Sequence, residues 1–449
     1  MSSQANVEEL APVSSVSCPL SDREQTRNLI LVGINTSLCY LGAPVLYADL
    51  VHTSLCRALQ ASATVANLPS TAYLVMSAMP LFVAWLFPQV RSLKALMVGC
   101  YSSLAASGAV VSASLALPLP DSLRLALVIA HAGILGAART TAVACEFEVL
   151  GRAVSESRRG RALGLAYGLG PVWAVGGSLA SQLLLNRTVE IPGLGSLAIS
   201  GWDIPFNFAT LFAASVPLMA LAAFLAGCYV IPLPEREPGR QPFLEGVFGG
   251  LGRFLSHRIA LHATVIAVVV MSGLNGLSNM SLYTEDILRV PPADLAGYQN
   301  TWRYICKGAA GLSFGWLLTR TNPRALVSVT TLVGLAGFAW VLATPPSLFL
   351  LSFGLVGAGQ LFGIYITNYI LCCSPAAQMR RYMAFTMLAM FLVAPSGALF
   401  GWIVDYYGAT DRAFGFRLSF AVAVGFFLIG VVLTWFLPTR PNREEGSLS

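Results

Sequence analysis

Twelve mostly apolar runs follow one another along this chain, each close to the roughly 20 residues that a bilayer-crossing helix needs. They cover 29–47, 63–87, 95–115, 123–145, 162–184, 206–231, 259–282, 296–318, 325–343, 348–372, 383–404 and 418–437. A backbone in hydrocarbon must satisfy its own polar groups, so such runs are helices. Only 11% of the 449 residues are charged, against about 25% in soluble domains, and the mean hydropathy is +0.69. The sequence therefore predicts an all-α polytopic membrane protein with twelve transmembrane helices.

The cations between the runs give the orientation. One alternating set of connections and tails holds 18 of the 27 Lys and Arg residues, the opposite set holds six, and three (Arg139, Arg303 and Lys307) fall inside runs. By the positive-inside rule, both termini are cytoplasmic. The net charge of +6 thus reads as membrane topology, and no nucleic-acid partner is expected. Residues 1–27 are polar and lack the basic-then-apolar pattern of a cleaved signal peptide. The expectation is a multi-pass protein of the cell (inner) membrane.

Residues 232–258 form the longest internal connection. It opens with a Pro-rich charged break, then places Phe243, Leu244, Val247, Phe248, Leu251, Phe254 and Leu255 at helical spacing. An amphipathic surface helix and an irregular linker are both compatible with that pattern. The organisation predicted is a tail (1–27), a six-helix bundle (28–231), this linker (232–258), a second six-helix bundle (259–437) and a tail (438–449). Landmarks repeat between the bundles: Arg91 and Arg320 are 229 positions apart, Arg158 and Arg380 are 222 apart, and Pro171 and Pro395 are 224 apart. A nearly constant offset indicates two copies of one unit in the same orientation, hence two pseudo-symmetric bundles.

Nine cysteines lie mostly inside apolar runs, where they act as small hydrophobes. Four histidines without His or Cys companions at ligand spacing predict no metal site. No cofactor is expected, and no phosphate-binding loop is found that would use ATP.

Charges inside hydrocarbon need partners or a cavity. Arg139 and Glu146 are seven residues apart in span four, which returns them to nearly one helix face, while Glu148 points elsewhere. Two readings stand: an ion-pair latch closing the inner mouth, or proton coupling at Glu146 or Glu148. His131, in the same span, reads either as a lone satisfied histidine or as a group that titrates near neutral pH. Span eight carries Asn300, Arg303 and Lys307 on one face. Either Glu285, Asp286 or Asp405 neutralises these cations, or an anionic solute does. Further polar side chains line up as Asn35, Tyr40 and Tyr47 in span one, Asn275, Asn279 and Tyr283 in span seven, and Tyr365, Asn368 and Tyr369 in span ten. They either line a cavity or bond between helices.

The layout resembles the major facilitator superfamily. The family's basic turn pattern, G-x-x-x-D-R-x-G-R-[RK], is echoed after span eight by Gly315, Arg320 and Arg324, with Thr319 in place of the acid and Asn322 in place of the second glycine. After span two, Arg91 and Lys94 match. Arg139 matches the family's intramembrane arginine, and Gly170-Pro171 followed by Gly176-Gly177 is similar to its antiporter motif with two extra residues. The resemblance implies a fold of two six-helix bundles around a central cavity lined by spans one, four, seven and ten. It makes Asn35, Tyr40, Asn275, Asn279, Tyr283, Arg303, Lys307, Tyr365, Asn368 and Tyr369 cavity candidates. Arg139, Glu146, Glu148, Arg91, Lys94, Arg320 and Arg324 become gating or coupling candidates.

The expected function is a monomeric secondary active transporter, not an enzyme. As a symporter or antiporter it would move a small organic solute, an anionic one included, by alternating access on a proton or solute gradient. Two alternatives stay open: a drug or metabolite exporter of the same superfamily, and a membrane-embedded lipid-modifying enzyme, for which Glu146 and Glu148 are the hint.

Overall fold

The computed structural model describes residues 20–48, 50–191, 195–233, 249–290, 292–345, 348–373, 385–386 and 388–439. Helix α1 (Asp22–Leu41) opens on a capping box. Ser21 N–H donates to the Glu24 carboxylate at 2.9 Å and the Ser21 hydroxyl oxygen accepts from Glu24 N–H. The helix therefore starts ahead of the first apolar run. It stops at Gly42, and the run continues as α2 (Ala43–Leu46) with Pro44 in its first turn. A helix that hydropathy did not mark, α3 (Leu50–Ala58), follows.

The rest of the first half comprises α4 (Ala63–Met76), α5 (Met79–Leu86), α6 (Leu93–Ala116), α7 (Asp121–Ala153), α8 (Glu156–Asn186) and α9 (Phe206–Gly227). A two-stranded antiparallel hairpin, β1 (Thr188–Ile191) and β2 (Gly195–Ala198), pairs Thr188 with Ala198 between α8 and α9. The second half comprises α10 (Gly249–Ser256), α11 (Arg258–Leu274), α12 (Leu277–Asp286), α13 (Pro292–Arg320), α14 (Pro323–Ala343), α15 (Phe349–Gly359), α16 (Phe362–Cys373), α17 (Pro395–Tyr407) and α18 (Arg412–Trp435). The molecule is thus an all-α polytopic bundle. Eight of the described helical segments are long and apolar enough to cross a membrane. The remaining four expected spans are occupied by α1, α8, α13 and α17.

Several expected spans are broken. Spans two, seven and ten are interrupted at Ser77-Ala78, Asn275-Gly276 and Gln360-Leu361. At Gly276 the reason is close approach: a Cβ there would sit 3.1 Å from the Phe338 ring. Pro171 lies inside the continuous helix α8 without interrupting it. Pro395 opens α17, where its missing N–H costs no helix hydrogen bond. Helix α7 runs to Ala153, so Glu146 lies two turns inside its end.

Within the first half α6 packs on α7 and α9, α1 on α8, and α4 on α7; within the second, α14 packs on α15 and α18, and α11 on α16 and α18. Across the halves α8 lies against α13, and α4 against α17. Of the predicted linker, α10 is described; 234–248 and the Arg380-Arg381 turn lie outside the described residues.

Candidate functional site

Helix α1 begins and α18 ends on one face of the bundle, the terminal face. On the opposite, distal face the two halves are tied together. Arg57 of α3 donates to Glu285 at 2.6 Å and to Asp286 at 2.9 Å, both at the end of α12. Asp286 also accepts from Arg412 of α18 at 2.7 Å, and Arg412 reaches Asp405 at 3.3 Å. Asp405 in turn caps the N-terminus of α4 from the other half. It accepts from Ala63 N–H at 3.1 Å, Thr64 N–H at 2.7 Å and the Thr64 hydroxyl at 2.7 Å. Burial works to raise the Asp405 carboxyl, but these donors and Arg412 hold it below the ordinary carboxylate value.

A second side chain bridges the other seam. The Gln182 side chain of α8 accepts from Gly297 N–H at 2.8 Å and donates to the Asp294 carbonyl, both in the first turns of α13. Gln182 and Asp405 are 223 positions apart (405 − 182), close to the offset of the repeated sequence landmarks. Each half thus bonds to the other's second-span helix through a side chain at the distal end of its fifth span. Deeper in the seam, Asn67 of α4 donates to Asn279 of α12 at 2.9 Å. The Ser54 and Ser281 hydroxyls lie 3.3 Å apart.

Towards the terminal face, among the described residues, four side chains bond within their own halves. Asn28 exchanges bonds with the backbone of Val230 at 2.7 and 2.9 Å, and Gln25 accepts from Ser155 N–H at 3.0 Å. In the other half Arg324 donates to the Trp435 carbonyl and Tyr369 to the Pro438 carbonyl, each at 2.7 Å.

The predicted cavity residues divide into two groups. Asn279 is committed to the seam, donating also to the Phe400 carbonyl at 2.9 Å and the Ser419 hydroxyl at 2.7 Å. Asn275 donates to Ser396 at 2.8 Å. Tyr283 packs among Phe349, Phe416 and Phe420 inside the second half, and Tyr369 is buried. Tyr365 lies against Phe314. Asn35 is buried next to Tyr229. In the second group one contact crosses between the halves. Tyr40 meets Tyr304 of α13 edge-on at 6.4 Å, where α1, α8 and α13 converge. On α13, Asn300 and Gln299 are buried with neither amide atom bonded. Arg303 is buried and donates to the Tyr304 hydroxyl at 3.0 Å. Lys307 and, on α16, Asn368 are half-buried.

Of the gating candidates, Glu148 accepts from Arg152 at 2.9 Å. Arg139 and Glu146 are both buried inside the first half, and Glu146 accepts from the Tyr101 hydroxyl of α6. Arg91 donates to Gln89 at 2.8 Å, and Lys94 is exposed. Arg320 stacks on Trp316 at 4.6 Å. Glu285, Asp286 and Asp405, read as neutralisers of Arg303 and Lys307, instead pair with Arg57 and Arg412. His131 is not alone: its ring stacks on His52 of α3 at 5.7 Å. The repeat offset could have found Arg57, since adding 229 to its number lands on an acid.

Comparison of the sequence finds no matching family model and no matching curated protein. Solved structures do match over nearly the whole chain. A variant of the nucleoside transporter NupG aligns with a TM-score of 0.66 at 10% identity, over 91% of this chain and 99% of its own. A D-xylose-proton symporter gives 0.66 at 13% identity, over 94% and 99%. The E. coli fucose:proton symporter FucP gives 0.61 at 14% identity, over 93% and 100%. The chain has the fold of these solved transporters.

Proposed function

We propose that this chain is a secondary transporter that moves a small organic solute by alternating access between its two halves. The observation that carries the reading is the asymmetry of closure. Distally, paired charges, the Asp405 helix cap and the Gln182 bridge join the halves, while near the terminal face Asn28, Gln25, Arg324 and Tyr369 bond within their own halves. A seam built from ion pairs and caps can part without unfolding either bundle, because each half keeps its own core. With the termini in the cytoplasm, as the cation bias indicates, this conformation is closed to the outside. The chain acts as a monomer in the cell membrane.

The solute site lies at the interface along α13. Buried amides without partners are costly in apolar surroundings, so Asn300 and Gln299 suit a solute carrying hydroxyl, carbonyl or amine groups. Arg303 and Lys307 on the same helix favour an anionic group. The proton couplings named for the xylose and fucose symporters support a proton gradient as the driving force here. Glu146, a carboxylate held inside the first half, is the coupling residue. The lipid-modifying reading loses its footing, since Glu148 is paired with Arg152 and Glu146 lies inside a bundle instead of at an interface.

The test is uptake and efflux in proteoliposomes, with and without a pH gradient, across nucleosides, sugars, short peptides and organic anions. Saturable flux of one class, driven by the gradient, is expected. No counterflow for any member of the panel would sink the reading. For the anionic site, Arg303→Ala and Lys307→Ala should each raise KM about tenfold or more, equivalent to about 1.4 kcal/mol of binding. Unchanged KM in both removes the anion.

A further inference from the structure

We propose that His52 and His131 together form a proton-binding site whose occupancy biases the protein towards a conformation open on the distal face. The inference rests on the alternating-access reading. It starts from the position of α3. One side of this short helix carries Arg57 and Ser54 into the seam with the second half. Its other side carries His52, fully buried, onto the first half. There the imidazole stacks on His131 of α7, with centroids 5.7 Å apart and planes 9° from parallel. Phe212 of α9 closes the pocket edge-on to both rings, at 5.6 Å from His52 and 5.4 Å from His131.

Of the four ring nitrogens, one has a side-chain partner: His131 Nδ1 lies 2.9 Å from the Ser107 hydroxyl of α6. The backbone carbonyls of Tyr47 and Val45 lie near the His52 and His131 rings, but His52 Nδ1, His52 Nε2 and His131 Nε2 complete no hydrogen bond in this conformation. A neutral imidazole has one N–H and one lone pair; a protonated one has two N–H groups and a full charge. The pocket offers that cation an aromatic ring and a second imidazole, but no carboxylate. Arg57 lies on α3 itself and is tied to Glu285 and Asp286. On α7, Arg124 is two turns distal and paired with Asp121, while Arg139 and Glu146 lie two or more turns the other way. Helix α6 carries one charged residue, Lys94, at its far end, and α4 and α9 carry none. On α13, which also packs on α3, Arg303 and Lys307 are positive, and the one carboxylate is Asp294 in its first turn.

A proton can therefore be accommodated only if α3 lifts and admits water. Lifting α3 withdraws Arg57 and Ser54 from the seam, so the step that hydrates the histidines also undoes the distal ties. The proton comes from water on the distal side and adds to a ring lone pair, and no other reactant is required. An exposed imidazole titrates near pH 6.5 (about). Below that, each pH unit shifts the balance towards the distal-open state by up to about tenfold for one proton.

The experiment places spin labels at Leu117→Cys and Ala409→Cys, exposed distal positions of the two halves, in protein reconstituted in nanodiscs. Label distances are read from pH 8 to pH 5 without any solute. The wild type should populate longer distances as pH falls. His131→Asn, which keeps a partner for Ser107, and His52→Gln should each flatten the response; if one fails to fold, the other reads the same site. His257 and His262 remain in both variants as an internal background. Distances constant with pH, or a response undiminished in the variants, would overturn the proposal. Because no solute is used, that failure is distinct from an absence of flux.

Discussion

Arg57 of the first half and Asp286 of the second touch: the guanidinium donates to the carboxylate at 2.9 Å. Arg57 also donates to Glu285, and Asp286 also accepts from Arg412, so the pair links two ion-pair chains of the distal seal. Through Arg412 the network reaches Asp405, the cap of α4. One contact thus joins α3 of the first half to α12 and α18 of the second.

Asp286→Asn should favour the distal-open conformation, because it weakens the ties to Arg57 and to Arg412 together. The partners are half-buried, so each tie is worth about 0.2–1 kcal/mol. The shift expected is roughly two- to tenfold. Labelling of Ser54→Cys by a membrane-impermeant maleimide added from the distal side should quicken by that factor. Exchanging the charges, Arg57→Asp with Asp286→Arg, should restore part of the closure. If the exchange labels as fast as the single variant, the pair does not hold the seal.

The Asp405 cap responds to pH in a predictable window. Its carboxyl is held below the ordinary value in the closed state. Its stabilisation of the seal is therefore complete above the free-carboxylate range, about pH 4, and is lost only as pH falls through the lower, closed-state value. Asp405→Asn should accordingly open the distal side at every pH from 5 to 8 by a similar factor, without altering the shape of the profile. A changed profile over that range would mean that Asp405 itself titrates there.

Much of this architecture was legible because bilayer length and the repeat offset are strong signals. The breaks were not. Asn275-Gly276 looks like ordinary membrane-helix sequence, and the Phe338 ring and Ala423 that crowd Gly276 come from distant parts of the chain. Helix α3 escaped notice because nine residues with His52 and Arg57 are too short and too polar for a span. The site was half legible. Asn279 stands out in the sequence as a polar group within an apolar run, but its partner Asn67 lies 212 positions away, beyond any helical periodicity. The acids Glu285, Asp286 and Asp405 stand out as possible partners of Arg303 and Lys307, whereas the structure pairs them with Arg57 and Arg412, since linear distance does not reveal that α3 delivers Arg57 to them.

Two glycines separate the fold from the gate. A Cβ on Gly136 would lie 2.0 Å from the Tyr73 carbonyl oxygen, within the first half. One on Gly401 would lie 2.6 Å from the Ala63 carbonyl oxygen, across the seam. Overpacking of this kind typically costs about 1–3 kcal/mol. Gly136→Ala should lower the melting temperature in detergent. Gly401→Ala should leave it nearly unchanged, because the strain is relieved by parting the halves, and should instead speed distal labelling. Equal loss of Tm in both would mean that the seam is part of the folding core.

Glu146 poses the question of coupling against stability, and Tyr101 separates the two. Both are buried in the first half, with the phenol donating to the carboxylate. Tyr101→Phe removes a hydrogen bond and leaves the carboxyl without that donor, which costs about 1–3 kcal/mol and should appear as a lower Tm. Glu146→Gln keeps an oxygen acceptor for Tyr101 and nearly the same volume, so most of the packing survives. What it removes is the group that can take up and release a proton. If Glu146 couples transport, the Gln variant should retain counterflow, which needs no net proton movement, and lose accumulation driven by a pH gradient. If Glu146 serves only to hold α6 and α7 together, gradient-driven accumulation should scale with the amount of folded protein. Wild-type accumulation per folded molecule in Glu146→Gln would rule out coupling at this carboxylate.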